Sequence, residues 1–191
     1  MRMKNKIILS CLLALGLSGC TAEFLEITPE TSLSSVTFFK TEADFTQAVN
    51  ACYVPLRTIY NDRSYLLSEM HSDNTYYFRN TAFGATEQQE DLADFSIPVS
   101  NNLTTNTHVL NQYRQDYLII ARANQILALI DKADFDAAAK ANLKGQAQFM
   151  RAFAYFEIYR YFNKGPLQLT PVANREQAAA PLGTADDISK I

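Results

Sequence analysis

Three long stretches of the chain carry apolar residues at every third or fourth position, a spacing that places them on one face of a helix. The first predicts a helix over residues 41–60, which begins at a capping box of Thr41 and Asp44. The second and third predict helices over residues 107–131 and 134–162. The short link between these last two predicts an antiparallel hairpin. The pattern therefore indicates an all-α body.

The third of these helices, which we call the hub helix, carries Phe and Tyr on more than one side. This distribution predicts burial against several neighbours. Small residues lie among the large ones and predict the close approach of a second helix: Gly145, Ala147, Ala152 and Ala154. Asp134 is the expected N-cap, and Gly165, just before Pro166, is the expected left-handed cap at the other end.

The segments around these helices predict less regular structure. Pro55 lies inside the first helix and predicts a kink or an early stop, because it removes one backbone hydrogen bond. Residues 65–71 predict a short helix, whereas residues 72–106 are polar, aromatic and turn-forming and predict a long irregular loop, which is often functional. After the hub helix the chain reads as extended until Thr184 and Asp187 begin another helix one turn before the last residue. Because an isolated turn is not stable, we expect the chain to be the N-terminal part of a longer protein.

Residues 1–19 have the pattern of a signal peptide: basic residues precede an apolar run of about eleven residues, too short to span a bilayer. The run ends in small residues directly before Cys20, which is the pattern of a bacterial lipoprotein whose thiol receives a diacylglyceryl group before cleavage. Multiple acyl chains anchor a protein stably. The alternative is a simple secretory leader with an accidental cysteine. We expect lipid attachment at Cys20, an extended arm over residues 20–35 and the helical body over residues 36–191.

Cysteine usage agrees with this interpretation. Cys11 leaves with the signal peptide and Cys20 is acylated, so Cys52 has no partner for an internal disulfide. Cys52 lies on the apolar face of the first predicted helix, where a small buried hydrophobe is the expected role.

Charge and motif content exclude several classes of function. The chain has 17 basic and 20 acidic residues, and loss of the signal peptide removes three basic residues and no acidic one. This acidic balance argues against a nucleic-acid partner. His71 and His108 lie at no catalytic or metal-ligand spacing, and no nucleophile-elbow, zinc-protease, phosphate-loop or dinucleotide motif occurs. Asp91 and Asp94 offer too few oxygen ligands for Ca²⁺ alone. We therefore expect no catalysis, no cofactor and no metal.

Three segments resemble the SusD/RagB family of nutrient-binding lipoproteins of Bacteroidetes. In the first, Cys20 is followed by Phe24-Leu25-Glu26 and Pro29, and in the second, residues 38–44 run into the first helix. The third is the most specific, because many positions occur in fixed order: Arg122-Ala123-Asn124, Gly145-Gln146-Ala147, Phe149, Arg151-Ala152, Ala154-Tyr155-Phe156, Arg160 and Gly165-Pro166-Leu167. Gln146 departs from the family pattern, in which an acid is more frequent. The resemblance spans nearly all of this chain but only about the first third of a family member.

The resemblance implies an all-α fold of tetratricopeptide-like helical hairpins with long irregular loops. It implies a lipid-anchored protein at the surface of the outer membrane that binds glycans, or peptides in RagB-like members. It further implies a partner, a TonB-dependent transporter of the SusC kind that the protein covers as a lid, and no catalysis. The residues themselves leave two other classes open: a helical scaffold that organises other outer-membrane proteins, and a lipid-anchored hydrolase, which no motif supports.

The resemblance also implies that the loop after the first helices contributes to the glycan site. The candidates there are Asp73, Asn74, Tyr76, Tyr77, Phe78, Arg79 and Asn80. Aromatic rings stack on the apolar C–H faces of sugars, and Asn, Asp and Arg pair with sugar hydroxyls. The alternative is that Tyr76, Tyr77 and Phe78 pack the loop onto the core. The chain has no Trp, so an aromatic cradle built on Trp is not expected.

Three polar residues of the long helices are expected to be structural. Asn124 interrupts an apolar stripe and should bind the backbone of a neighbouring element. Arg151 and Arg160 lie on the hub helix, and Arg151 is expected to pair with a carboxylate or a helix C-terminus.

Overall fold

Three long helices form the framework of the protein. The computed structural model describes residues 38–62, 64–72, 74–80, 82, 87–97, 99–100, 103–104 and 106–191. The long helices are α1 (Glu42–Asp62), α4 (Thr107–Leu129) and α5 (Ala137–Phe162). Shorter elements lie between and after them: α2 (Ser64–Glu69), α3 (Glu87–Ala93), β1 (Val99–Ser100), β2 (Leu103–Thr104), a 3₁₀ turn (Ile130–Lys132), β3 (Gly165–Pro166), α6 (Arg175–Ala178), β4 (Leu182–Gly183) and α7 (Ala185–Ile188).

Helix α1 begins at the expected capping box and continues past its proline. The Thr41 hydroxyl accepts from the Asp44 N–H at 3.3 Å, and the Asp44 carboxylate accepts from the Thr41 N–H at 2.8 Å. The helix runs through Pro55 to Asp62, so the expected early stop is wrong. One missing hydrogen bond is outweighed by the apolar face that α1 buries on both sides of the proline, including Phe45, Val49, Cys52 and Ile59.

The hub helix, α5, is capped at different residues from those expected. Its N-cap is Asp136 rather than Asp134, and the Asp136 carboxylate accepts from the Ala139 N–H at 2.8 Å. Its C-terminal cap is Asn163, whose φ of 62° is left-handed, a conformation that Asn tolerates better than most residues. Gly165 belongs instead to β3, where an added Cβ would lie 2.7 Å from Ile158 Cγ2 and from the Tyr117 hydroxyl oxygen. Glycine is required there by close packing.

The core lies where α1, α4 and α5 meet, and α5 contributes one face of its surface to it. The buried residues of that face are Leu143, Ala147, Met150, Ala154, Tyr155, Glu157 and Ile158. Helix α5 packs against several neighbours, as expected, because it contacts α1, α4 and α7. Phe149, Phe156 and Tyr159 nevertheless remain exposed. Gly145 is also exposed, and an added Cβ there would meet no atom within 4 Å. The close helix contact expected at Gly145 is therefore wrong, whereas Ala147 and Ala154 are fully buried.

The segment between α2 and α4 contains more regular structure than its composition predicts. It holds α3 and a two-stranded antiparallel hairpin in which Val99 pairs with Thr104. Helix α3 has one large apolar residue, Leu92, which packs with Leu66 and Leu67 in a small second core. A single apolar residue gives no period, so pattern analysis could not detect this helix.

The segment after α5, residues 165–170, which we call the strap, is fastened to α4 and α5 by polar side chains. The Tyr117 hydroxyl donates to the Pro166 carbonyl oxygen at 2.8 Å. The Tyr155 hydroxyl accepts from the Gln168 N–H at 2.6 Å and donates to the Gln168 carbonyl oxygen at 3.0 Å. Strand β3 in the strap pairs with β4, with Gly165 opposite Gly183.

Asn124 joins the strap to α5, as expected for a core asparagine. Its amide donates to the carbonyl oxygens of Gln168 at 2.7 Å and Thr170 at 3.3 Å. Its amide oxygen accepts from Arg151 Nη1 at 3.1 Å, and Arg151 also donates to the Leu169 carbonyl oxygen at 3.4 Å. Arg151 thus binds an amide and a backbone carbonyl, and the expected carboxylate or helix C-terminus is wrong.

Helix α7, the last element, is short but does not stand alone. Thr184 and Asp187 form the expected capping box, with the Asp187 carboxylate accepting from the Thr184 N–H at 2.9 Å. Ile188 is buried in the main core. Packing of this side chain stabilises a turn that an isolated peptide would not hold.

Two carboxylates lie inside the helical body. Asp116 and Glu157 are fully buried, and the buried Gln112 amide donates to both Asp116 oxygens at 3.2 and 3.1 Å. The pKa of Asp116 is raised to about 8, mainly by burial and to a smaller extent by the charge of Glu157, while the Gln112 hydrogen bond and the charge of Arg160 oppose the shift. Burial also raises the pKa of Glu157, against the opposing charge of Arg160, whose Nη2 donates to Glu157 at 2.9 Å.

The expected signal peptide, lipidated Cys20 and arm over residues 20–35 lie outside the described residues. None of the described helices combines the length and the apolar character needed to cross a bilayer.

Candidate functional site

The loop predicted to contact a ligand runs beside the C-terminal end of α3. The Tyr76 hydroxyl donates to the Asp94 carboxylate at 2.5 Å, which joins the loop to the turn that follows α3. The rings of Tyr76 and Phe78 meet edge to face with their centroids 4.7 Å apart. At its start the loop is fastened to α2, because the Thr75 hydroxyl donates to the Glu69 carbonyl oxygen. Asp73 lies outside the described residues.

Two of the three aromatic residues of this loop face solvent. Phe78 is 77% exposed and Tyr76 is 50% exposed, whereas Tyr77 is half-buried. Packing onto the core therefore does not account for Phe78 and Tyr76. Exposure of these rings to water is unfavourable, and burial in the core does not compensate for it at these two residues.

The polar candidates that the structure describes, Asn74, Arg79 and Asn80, are neighbours of these aromatic residues in the chain and are exposed. Asn74 donates its backbone N–H to the Ser72 hydroxyl at 3.3 Å, and the Asn80 side-chain oxygen accepts from the Ala82 N–H at 3.1 Å. Arg79 is exposed. We call Asn74, Tyr76, Phe78, Arg79 and Asn80 the loop site.

The structure adds Phe95 and His71, which sequence reasoning did not select. Phe95 follows Asp94, is 69% exposed and has a φ of 55°. Left-handed backbone costs a residue with a side chain about 1–3 kcal/mol. Its ring stacks on the imidazole of His71, with centroids 4.7 Å apart and an angle of 19° between the planes. An aromatic residue in a polar turn carries no periodic signal, so no sequence pattern indicates this pair.

The electrostatic environment of the loop site keeps the Tyr76 hydroxyl protonated, so that it can donate a hydrogen bond. The hydrogen bond to Asp94 raises the pKa of Tyr76, so the phenol stays protonated at neutral pH. Burial lowers the pKa of His71, and its Nε2 atom is buried without a hydrogen-bond partner, so the neutral imidazole is favoured. Among the described residues no group of three or more His, Cys, Asp or Glu could hold a metal ion.

A cavity lies between α4 and the segment that includes the strap. It has a volume of about 320 Å³ and is lined by Tyr113, Tyr117, Ile120, Ala121, Asn124, Pro166, Gln168, Thr170, Val172 and Ala178. Its walls are mainly apolar, and the amide of Asn124 and the hydroxyl of Tyr117 already bind the backbone of this segment. These groups hold the strap in place and leave few polar atoms to orient a ligand. The loop site is the better candidate.

The comparison with known families agrees with this architecture. The profile of the SusD-like family described as starch-binding and associating with the outer membrane matches residues 23–187. The chain belongs to the SusD-like family. Its helices are the tetratricopeptide-like helices of that family, so the expected all-α fold is confirmed.

Individual relatives span a much longer polypeptide. SusD-like protein P38 of Formosa agariphila is 30% identical over 82% of this chain, which corresponds to 29% of the relative. A SusD superfamily protein from Bacteroides vulgatus has a TM-score of 0.67 and 26% identity over 80% of this chain and 32% of its own. A SusD-like carbohydrate-binding protein from Bacteroides fragilis has a TM-score of 0.60 and 26% identity, over 81% and 30% of the two chains. This chain thus spans about a third of these relatives.

Proposed function

We propose that this protein is a glycan-binding lipoprotein of the outer membrane and that the loop site contacts the ligand. The observation that carries the proposal is the exposed pair of Tyr76 and Phe78 rings, in a loop that also exposes Asn and Arg residues, in a chain of the SusD-like family. The rings offer flat apolar faces to sugar C–H groups, and the polar side chains offer donors and acceptors to sugar hydroxyls. Binding of this kind needs no catalytic group.

Anchoring and delivery form the second part of the proposal. Cys20 carries the lipid, the arm over residues 20–35 connects it to the helical body, and a TonB-dependent transporter of the SusC kind receives the glycan. The lipoprotein pattern of the N-terminus and the family description support this assignment. A Cys20→Ala variant should leave the membrane fraction, and the unaltered protein should co-purify with a transporter. Recovery of the variant in the detergent-extracted membrane pellet would show that another element anchors the chain.

Ligand binding is tested with the full-length mature protein against a panel of polysaccharides and peptides, by affinity electrophoresis and calorimetry. Tyr76→Ala should weaken glycan binding by about threefold to tenfold, the loss expected for one aromatic contact. Phe149→Ala is the matched control, because Phe149 is an aromatic residue of similar exposure on α5. Binding of peptides alone would identify a RagB-like ligand, and binding of nothing in the panel would contradict the proposal. Release of reducing sugar by the pure protein would revive the hydrolase alternative.

A helical scaffold is the second candidate, and one observation favours it. The exposed face of α5 presents Phe149, Phe156 and Tyr159, an apolar surface of the kind that contacts other proteins. Co-purification with outer-membrane proteins that depends on this face, together with no glycan or peptide binding, would favour the scaffold.

A further inference from the structure

Helix α3 ends in a turn that normally contains glycine. The Ser96 N–H donates to the Asp91 carbonyl oxygen at 3.0 Å, and the Phe95 N–H points to the Leu92 carbonyl oxygen at 3.5 Å. This pair of bonds defines a Schellman motif, in which the residue at the Phe95 position takes a left-handed conformation and is usually Gly. The chain has Phe there, with a φ of 55°. The backbone would be relaxed by glycine, so the ring must serve a purpose that glycine cannot.

Burial is not that purpose. The Phe95 ring is 69% exposed, so it contributes little to the core. One of its faces stacks on His71 at a nearly parallel angle of 19°, and the exposed fraction shows that much of the ring remains open to solvent. Asp94, the preceding residue, binds the Tyr76 hydroxyl, so the turn that carries Phe95 is joined to the loop site through this hydrogen bond.

We propose that Phe95 is the ring on which a pyranose of the glycan stacks, and that neutral His71 is the positioning residue that holds this ring. The proposal deepens the proposed function and rests on it. A phenyl ring supported on one face and open on the other is suited to the flat C–H face of a pyranose. The strained turn fixes the direction of the ring before the ligand arrives, which reduces the ordering that binding requires.

The support by His71 should make binding sensitive to acid. His71 Nε2 is buried without an acceptor, so a proton added there would have no partner, and burial lowers the pKa from its ordinary value of 6.5. At a pH below this pKa, protonation of the His71 imidazole is favoured only if the imidazole moves away from the Phe95 ring. Nearby in the chain and in the site are Glu69 on α2 and the bonded pair of Tyr76 and Asp94.

The test uses the full-length mature protein, with soluble starch and laminarin as probes and any glycan that the panel identifies. Phe95→Gly should weaken binding by about threefold to tenfold while Tm stays equal or rises, because glycine relaxes the turn. Weaker binding at an unchanged Tm indicates a binding role for the ring. If the ring had only a packing role, Phe95→Gly would lower the Tm and leave the affinity unchanged. Phe95→Tyr should restore binding, since it retains the ring.

The role of His71 is tested through a pH profile. The affinity of the unaltered protein should fall between pH 7 and pH 5, by at most about tenfold per pH unit for a single proton. His71→Phe retains a ring beneath Phe95 but cannot titrate, so its affinity should match the unaltered protein at pH 7 and stay constant to pH 5. An identical pH profile in both proteins would overturn the role of His71. Normal glycan binding by Phe95→Gly would overturn the platform alone, whereas no glycan binding by the unaltered protein would overturn the proposed function.

Discussion

The helical core and the loop site contain the same aromatic residue types but differ in how far these residues are exposed to solvent. Tyr155 in the core is fully buried, and its hydroxyl binds the backbone of Gln168 on both sides. Tyr76 in the loop is half exposed, and its hydroxyl binds the single carboxylate of Asp94. In the core the ring contributes apolar burial and the hydroxyl closes the strap over it. In the loop the hydroxyl holds a ring that remains available. Burial, rather than residue type, separates the aromatic residues that stabilise the core from those that we propose to bind glycan.

The largest effect on stability is expected from substitution of the buried core residue, Tyr155. Tyr155→Ala should lower the free energy of unfolding by about 3–5 kcal/mol, because it leaves a cavity and unpaired backbone groups of the strap. Tyr155→Phe retains the ring and should lower it by only about 1–3 kcal/mol. Denaturant unfolding of the two variants measures the difference. Equal losses would show that the hydroxyl, and not the ring, carries the contribution.

The second effect depends on pH. The pKa of Asp116 is about 8 in the folded protein and close to 3.8 when unfolded, so between these values the folded state keeps a proton that the unfolded state releases. Raising the pH through this window should therefore lower the free energy of unfolding, by at most about 1.4 kcal/mol per pH unit. Above the folded pKa the slope should vanish. Glu157, whose pKa is also raised, should act in the same direction.

Asp116→Asn should remove much of this dependence, because the amide stays neutral at every pH. Denaturant unfolding at several pH values between 5 and 9 compares the two proteins. Asp131→Asn is the control, since Asp131 is an exposed carboxylate that pairs with Lys144 at 2.6 Å. Parallel pH profiles for Asp116→Asn and the unaltered protein would contradict the assignment.

A smaller effect of opposite sign is expected at Gly145. The sequence places this glycine among large apolar residues and suggests close packing, for which Val should cost about 1–3 kcal/mol. The structure shows an exposed helical position with no atom within 4 Å of an added Cβ. Gly145→Ala should therefore raise the free energy of unfolding by about 0.4–1 kcal/mol, because alanine is the better helix former. A lower Tm for this variant would show that the site is packed after all.

The comparison also explains how much the sequence could predict. The long helices were predictable, because Phe45, Ile119 and Ile158 belong to stripes whose period matches the helix and whose burial drives the fold. Whether an individual side chain faces the core or solvent was less predictable. Gly145 and Phe149 share a helix with Ala147 and Met150, and only the packing of α1 and α4 decides which of them is covered.

The sequence predicted which residues form the loop site, but not which residues elsewhere in the chain contact them. Tyr76 and Phe78 could be selected because exposed aromatic residues among polar ones suit sugars, and the structure places both rings in contact. The partners Asp94 and Phe95 lie about 20 residues further along the chain, beyond a helix that has no period. Long-range pairing of this kind depends on a few hydrogen bonds and one buried leucine, which leave no pattern in the sequence.

The smallest effect on stability is expected at Phe78, and it is the sharpest test of the comparison. Phe78 is 77% exposed, so Phe78→Ala removes little buried surface and should change the free energy of unfolding by no more than about 0.5 kcal/mol. The same substitution should weaken glycan binding several-fold, because the ring is lost from the loop site. Tyr155→Ala should do the opposite: it should lower the free energy of unfolding strongly and leave glycan binding by the folded protein unchanged. Both changes delete an aromatic ring, but the Tyr155 ring is buried and its hydroxyl binds the strap, whereas the Phe78 ring is exposed. A Phe78→Ala protein that is destabilised as strongly as Tyr155→Ala would show that the loop is part of the core.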